Sequence, residues 1–336
     1  PILGKRCVTC HGCTTSPCQL KLTSYEGVLR GANKHNIFQN TVLSASTGPT
    51  RLQDAKTLAD WREKGFYSVT DGGKASAMYR LLEHGKDNAE GFETKNAFKL
   101  YSEKAELLNF ECLDTKKELD ARLATEGTGM PFGLPALPPN EYATLTAWLE
   151  KGAPGPSEAA QATLAKARDE GAVKAWEDFL NQPSPKARLA ARYIYEHVFY
   201  GRLHVDDSSR SRGDFFDLVR SRTKTGPIDE IVTERPGDDP KAPFHYRLKK
   251  HTQIITAKDH IVFHLDAKVM ARWKELLFDS DWSVDAAPGL ASNNPLEYFP
   301  SIPGKARYQF MLETSHHPID AMVKGDCSGY VALLSD

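Results

Sequence analysis

Two cysteines and a histidine near the amino terminus have the spacing of a covalent haem attachment site. Cys7, Cys10 and His11 form a Cys-x-x-Cys-His sequence. Positions i and i+3 lie on one face of a helical turn, so both thiols can reach the two vinyl groups of one porphyrin. The adjoining His11 then offers its imidazole to the iron. The pattern predicts a single, covalently bound haem c.

Two other kinds of site also use closely spaced cysteines. A zinc site needs a second Cys or His pair, and Cys13 and Cys18 lie in the same short loop as the first pair. A redox-active dithiol favours a preceding strand and has no need of His11. Haem is the interpretation we prefer, and the sequence leaves the other two open.

A methionine in a loop rich in glycine and proline is the candidate for the second axial ligand. The proline that follows Met130 favours an extended backbone there, so the thioether can project sideways from the loop. A helix follows, with Asn140 as its N-cap and Gly152 at its end. We predict that Met130 binds the iron, with His35 or His84 as substitutes. The alternative is that Met130 only fills the core.

Composition limits the class of protein. The 336 residues suffice for two or three compact units. The net charge of −1, with acidic and basic residues intermixed, argues against a nucleic-acid partner. No apolar run is long enough to span a bilayer. Of the six cysteines, we expect Cys13 and Cys18 to form a disulfide, since haem attachment implies oxidising surroundings. Cys112 and Cys327 are expected in the core.

The sequence around the haem motif resembles the haem-bearing start of bacterial fatty acid cis/trans isomerases. Within residues 7–32 the resemblance lies in the haem motif, the second cysteine pair and the Gln-Leu-Lys-Leu that follows it. Further similar stretches lie at 191–197, 228–240, 257–260 and 304–310. The family proteins are longer, so we expect a partner segment beyond the end of this chain.

The resemblance implies what the protein does. The expected reaction is the cis-to-trans isomerisation of unsaturated fatty acids or phospholipid acyl chains, without a shift of the double bond. It implies that ferric haem withdraws electron density from the alkene, which rotates and then recovers the electron, so there is no net redox change. It also implies a location in the periplasm, with transient contact to the membrane surface. The oligomeric state is left open.

Hydrophobic periodicity predicts the elements that must position these residues. We expect a fold that is mainly α with some β, an α+β arrangement. A cytochrome c-like helical haem domain covers residues 1–153, with an insertion around 86–129, and a mixed α/β region over 157–336 packs on it. Pro154-Gly-Pro156 is the stiff junction. The second region has predicted helices at 157–180, 185–198, 305–312 and after Asp266, and predicted strands at 215–219, 228–233 and 244–248.

Other polar residues receive plainer interpretations. His260 and His264 lie on a predicted strand, about 13 Å apart, too far for one metal ion. Four further residues could reach a haem propionate or a fatty acid carboxylate: Arg192, Tyr193, Tyr195 and Tyr200. Tyrosines at helical spacing, however, usually belong to the core. The main alternative function is a periplasmic c-type electron-transfer cytochrome fused to a binding domain. A haem-based sensor or lipid-binding protein without turnover is the third.

Overall fold

The chain forms two compact units. The structure, a computed structural model, describes residues 2–12, 16–34, 55–88, 112–125, 129–132, 134–205, 213–254, 262–287, 289 and 298–323. The first unit comprises Pro1–Thr47 and Gln53–Ala160, and the second comprises Gly48–Leu52 and Gln161–Asp336. The fold is mixed α/β and mainly helical, as predicted. No helix in the described ranges combines the length and the apolar character needed to cross a bilayer.

The described part of the first unit is mostly helical. Two short strands, β1 (Ala32–Asn33) and β2 (Phe66–Tyr67), pair antiparallel. The helices are α1 (Ile2–Arg6), α2 (Tyr25–Arg30), α3 (Leu58–Glu63), α4 (Ala77–Asp87), α5 (Lys116–Thr125) and α6 (Pro139–Glu150), with short 3-10 turns at Pro17–Gln19 and Gly73–Ala75.

The core of the first unit lies between α4 and α6. Its buried members are Tyr79, Leu82, Leu137, Leu145, Leu149 and Ala153. The short helix α1 packs against this core through Ile2 and Leu3. Arg6 fixes α1 from the outside, since its Nε lies 2.6 Å from Oε2 of Glu141 on α6.

The N-cap of helix α6 lies two residues before the predicted cap, Asn140. Pro138 occupies the N-cap position and Pro139 the first helical position, and Asn140 already lies inside the helix. Proline fits the first turn because the N–H that it lacks would have no partner there. On the face of α6 that meets the core, Leu145 and Leu149 are buried, whereas Tyr142 and Trp148 are partly buried at its edge.

The second unit packs helices against one face of a four-stranded sheet. The strand order is β5-β4-β3-β6, with β3 antiparallel to β4, β4 antiparallel to β5, and β3 parallel to β6. The strands are β3 (Arg202–Val205), β4 (Asp214–Ser221), β5 (His245–Lys250) and β6 (Val262–Leu265). Helix α7 (Glu158–Ala165) contains the point at which the chain passes from the first unit to the second. The helices that follow are α8 (Glu170–Leu180), α9 (Pro185–Val198), α10 (Ala267–Trp273, continued by a π-helical turn at Lys274–Asp279) and α11 (Gly304–Val323).

Alternation along the strands builds the core of the second unit. Neighbouring strands bring their apolar residues into register, with Leu203 opposite both Phe216 and Phe263. These side chains are buried with Leu218 and Leu248 of the next pair. The predicted caps of two covering helices are confirmed: Ser184 accepts from the N–H of Ala187 at 3.2 Å, and Asp266 from that of Val269 at 2.7 Å.

Two element predictions in this unit are wrong. The segment predicted as one helix over 157–180 forms α7 and α8, because Asp169 caps a new helix by accepting from the N–H of Ala172 at 2.7 Å. The segment 228–233 contributes only an isolated bridge between Ser221 and Glu230. It leaves the sheet because Thr233 turns back to donate to the carbonyl of Arg235 at 2.7 Å.

The predicted Cys13–Cys18 disulfide is also wrong. Cys18 is bonded to Cys112, 94 residues away, with their Cα atoms 5.4 Å apart. Cys112 is buried, as expected, but as half of a disulfide rather than as a thiol. Cys18 has a left-handed backbone, with φ of 55°. Cys13 and Cys327 lie outside the described residues.

Candidate functional site

The haem motif lies on a single helical turn that continues α1. The N–H of Cys7 donates to the carbonyl of Leu3 at 2.8 Å, and the N–H of His11 donates to the carbonyl of Cys7 at 2.9 Å. The N–H of Cys10 also reaches the Cys7 carbonyl, at 3.2 Å. The structure therefore brings the two cysteines and the histidine together in the predicted arrangement.

The two motif cysteines are thiols and not a disulfide. Burial, and to a smaller extent the neighbouring Cys10, raises the pKa of the Cys7 thiol to about 11. A redox-active dithiol needs the opposite, a cysteine whose pKa is lowered so that the thiolate attacks. The environment of Cys7 therefore does not favour the dithiol interpretation.

His11 is partly buried, and one of its ring nitrogens has no hydrogen-bond partner. Its Nδ1 is buried and has no hydrogen-bond partner. Burial lowers the pKa of His11 to about 4, against a smaller opposing effect from a hydrogen bond with the carbonyl of Leu20. The imidazole is therefore neutral at physiological pH, the state in which it binds a metal. One nitrogen held by a carbonyl and the other without a partner is the arrangement of a metal-binding histidine.

The loop that carries Leu20 is held by several contacts. The hydroxyl of Ser16 donates to the Leu20 carbonyl at 2.6 Å. Cys18 and Gln19 both have left-handed backbone, with φ of 55° and 51°, a conformation that costs energy in residues other than glycine. The disulfide fixes the first of these residues, and Arg30 donates to the carbonyl of the second at 2.6 Å. Leu20 is thereby positioned beside His11.

A zinc site finds no support among these residues. Cys18 is consumed by its disulfide and has no thiolate to offer. Across the described ranges, no group of three or more His, Cys, Asp or Glu side chains converges as a metal site would require.

Met130 lies in the loop between α5 and α6 and packs on the same core as α1. Its N–H donates to the carbonyl of Leu81 on α4 at 2.8 Å. Its half-buried side chain joins the core cluster that also includes Ile2 and Leu3, just before the haem motif. Through this cluster the structure brings the Met130 loop and the helix of the haem motif together. Ligation of iron by Met130 stays a prediction.

Two glycines allow the Met130 loop to approach α4 so closely. A Cβ atom at Gly85 would lie 2.4 Å from the carbonyl oxygen of Met130, and one at Gly129 would lie 2.2 Å from the backbone nitrogen of Gly85. No other residue fits at such an approach. The signal was visible in the sequence, since Gly85 interrupts a helical stretch. His84, the substitute ligand beside it, has its Nδ1 3.3 Å from Nδ2 of Asn88. His35 lies outside the described residues.

The residues present fit a covalently bound haem. The two thiols lie on one turn, the adjacent histidine has a buried nitrogen without a partner, and a half-buried methionine lies on the core that supports the turn. The sequence predicted these residues, but not the supporting contacts of Leu20 or Cys112. Those contacts depend on how segments far apart in the sequence pack together, so no local sequence pattern predicts them.

A histidine pair elsewhere was not predicted. His264 lies on β6 opposite His204 on the parallel strand β3, with their Nδ1 atoms 3.2 Å apart. The predicted strand at His264 is therefore confirmed, but its close neighbour is His204. His260 lies outside the described residues.

Comparison with known proteins identifies a family. The model of the fatty acid cis/trans isomerase (CTI) family matches residues 47–335. The match includes Met130 and most of the second unit, and it begins after the haem motif. No curated protein and no solved structure matches the chain.

Proposed function

The chain belongs to the fatty acid cis/trans isomerase family, and from this premise we propose that it works with one haem c bound through Cys7, Cys10 and His11. The family consists of isomerases that act on the cis/trans double bonds of fatty acids. The reaction is therefore the isomerisation of an unsaturated fatty acid. The proposal concerns how this chain carries it out.

The observation that carries the proposal is the state of His11. A neutral imidazole with one buried, unpartnered nitrogen is costly in a folded protein. It becomes favourable once that nitrogen binds iron. Cys7 and Cys10, on the same turn, would supply the two sulfur atoms that tether a porphyrin. Met130 is the proposed second axial ligand.

The chemistry needs a means of weakening a carbon–carbon double bond. Even the partial double bond of a peptide resists rotation by about 18–20 kcal/mol. Ferric haem, when bound, supplies a one-electron acceptor for the π electrons of the alkene. The chain's own part is to hold the iron through His11 and to orient the acyl chain. Because the product has the same composition as the substrate, no reductant is consumed.

The disulfide supports a location outside the cytoplasm. Cys18–Cys112 links segments 94 residues apart, and such bonds persist in oxidising compartments, as does the machinery that attaches haem c. We propose the periplasm, where cis-unsaturated fatty acids or acyl chains released from the membrane are within reach.

The test is a turnover experiment without reductant. The haem-loaded protein is incubated with a cis-monounsaturated fatty acid, and gas chromatography measures the trans product. We expect trans product from the wild type and none from the Cys7→Ser/Cys10→Ser variant, which cannot tether the porphyrin. Equal activity of the haem-free variant would show that the haem has no part in the reaction. A reversible reduction potential without trans product would favour the electron-transfer alternative.

A further inference from the structure

A buried arginine in the second unit lacks an acidic partner. Arg220 on β4 is only 2% exposed. Its Nη1 donates to the backbone carbonyl of Asp238 at 2.7 Å and its Nη2 donates to the hydroxyl of Thr233. Both acceptors are neutral, and Nε is buried without a partner. Among the described residues, Arg220 forms no ion pair with any carboxylate.

The carboxylates near Arg220 are already paired with other cations. The side chain of Asp238 binds Arg235 at 3.2 Å, and only its backbone carbonyl faces Arg220. Glu230 binds Lys249 at 2.6 Å. A buried cation without a counter-charge is costly in a folded protein. The free energy lost by burying Arg220 without a carboxylate must therefore be offset by some other interaction.

A second buried arginine shows the contrast. Arg192 on α9 is 5% exposed, and its Nε lies 2.6 Å from Oε1 of Glu196, one helical turn later. The same unit thus neutralises one buried arginine within its own helix. It leaves Arg220 without that compensation.

The surroundings of Arg220 suit the head of a fatty acid. The guanidinium lies 5.3 Å from the ring centre of Tyr195 and 5.6 Å from that of Phe244. Tyr195 belongs to the apolar core of the unit, and Phe244 packs against it. A charged group with an apolar wall beside it matches an amphipathic ligand, whose carboxylate needs a cation and whose chain needs apolar contacts.

Segments from three parts of the sequence converge on this arginine. Tyr195 comes from the stretch 191–197, and Thr233 and Asp238 come from the stretch 228–240, two of the stretches that carry the family resemblance. Neither stretch belongs to the haem motif or to the Met130 loop. Arg220 and the residues that contact it all lie within the range 47–335 that the family model matches.

We propose that Arg220 binds the carboxylate of the unsaturated fatty acid, so that the protein recognises the free acid rather than an ester. Nε and Nη2 lie on one edge of the guanidinium, and a carboxylate binds such an edge through both oxygens. Thr233 and Asp238, which now supply neutral acceptors, belong to one surface loop that covers the arginine. The inference rests on the proposed function for the identity of the ligand.

The experiment measures binding, which does not require turnover. Calorimetry with the full-length, haem-loaded protein compares oleate with methyl oleate for the wild type, Arg220→Gln and Arg220→Lys. The control is Arg247→Gln on the next strand, whose guanidinium already has a carboxylate partner in Glu177 at 2.9 Å. We expect Arg220→Gln to weaken oleate binding by at least about tenfold, the effect of one charge-assisted hydrogen bond. Binding of methyl oleate should be the same in the wild type and the variant.

Each other outcome is decisive. Unchanged oleate binding in a folded Arg220→Gln protein would overturn the proposal. If that variant does not fold, Arg220→Lys decides, since lysine keeps the charge but loses the two-point contact and should weaken oleate binding severalfold. A shift of the haem reduction potential with unchanged oleate affinity would assign Arg220 to a porphyrin propionate and reject the proposal. Arg220-dependent oleate binding without trans product would reject the haem mechanism and leave this inference standing.

Discussion

At the scale of single residues, the protonation of His11 depends on the loop that follows it. Burial lowers the folded pKa of His11 to about 4, below its ordinary value of 6.5. As the pH falls, the unfolded chain therefore takes up this proton before the folded chain does. The stability that neutral His11 contributes is complete above about pH 6.5 and is lost as the pH falls towards about 4.

This difference predicts an acid-sensitive apoprotein. In protein produced without haem, the free energy of unfolding should fall by about 2 kcal/mol between about pH 7 and about pH 5 through this residue alone. Urea titrations at both pH values measure it. His11→Gln, which cannot take up the proton, should lose that part of the dependence, while the partly buried His197 contributes equally to both proteins. Identical pH dependence in the two proteins would mean that His11 is not buried as described.

Residue types revealed the haem motif, but residue types alone did not reveal Arg220. Cys7, Cys10 and His11 are recognisable because their chemistry depends on local spacing, which the sequence records directly. Arg220 is one arginine among many until the fold buries it and pairs the nearby carboxylates with other cations. Local spacing is visible in a sequence, whereas compensation of charge in three dimensions is not.

At the scale of elements, the contact between α4 and the Met130 loop depends on a glycine. We predict that Gly85→Ala destabilises the first unit by about 1–3 kcal/mol, because the new Cβ must displace the Met130 carbonyl. Gly304→Ala at the start of α11 is the control, since the nearest atom there lies 3.9 Å away. Urea midpoints measure both. In the haem-loaded protein, displacement of the proposed ligand Met130 should also increase the high-spin fraction of the iron.

The urea midpoints of the two glycine variants can also contradict this packing. Equal midpoints for Gly85→Ala and Gly304→Ala would show that the loop does not pack on α4 at the distance described. A destabilised Gly85→Ala protein with an unchanged haem spectrum would keep the packing but reject Met130 as the ligand.

Elements with a local signal were predicted well, and those set by distant contacts were not. Ser184 and Asp266 are N-cap residues, and their side chains predict the helices that begin directly after them. The strand β3 escaped prediction, since its four residues include only two that are buried. The break between α7 and α8 depends partly on Asp214 of β4, which accepts from the backbone N–H of Arg168 at 2.8 Å. Because this partner lies 46 residues away, the sequence around Arg168 does not predict the contact.

At the scale of the whole molecule, the two cores have no members in common. Leu149 of the first core and Leu277 of the second are both fully buried. We predict that Leu149→Ala and Leu277→Ala each cost about 2–5 kcal/mol. Their effects should add to within about 0.5 kcal/mol, because substitutions without shared contacts are independent.

A double-mutant cycle in urea tests this independence. The control cycle combines Trp273→Leu and Phe310→Leu, whose rings lie 5.2 Å apart within the second core, and it should show a coupling above about 0.5 kcal/mol. Strong coupling between Leu149 and Leu277 would mean that the two units share one core, contrary to the division described.

The Cys18–Cys112 bond has a consequence for how the protein is assembled. Oxidation of the chain before Cys112 is in place would join neighbours such as Cys7 and Cys10, and it would remove the sulfur atoms that the proposed porphyrin requires. The pairing of Cys18 with Cys112, across 94 residues, leaves the sulfur atoms of Cys7 and Cys10 available. The amino-terminal thiols therefore need protection until the distant partner arrives. If the proposed haem is attached, its two thioether bonds and the Cys18–Cys112 disulfide would have to form without exchanging partners.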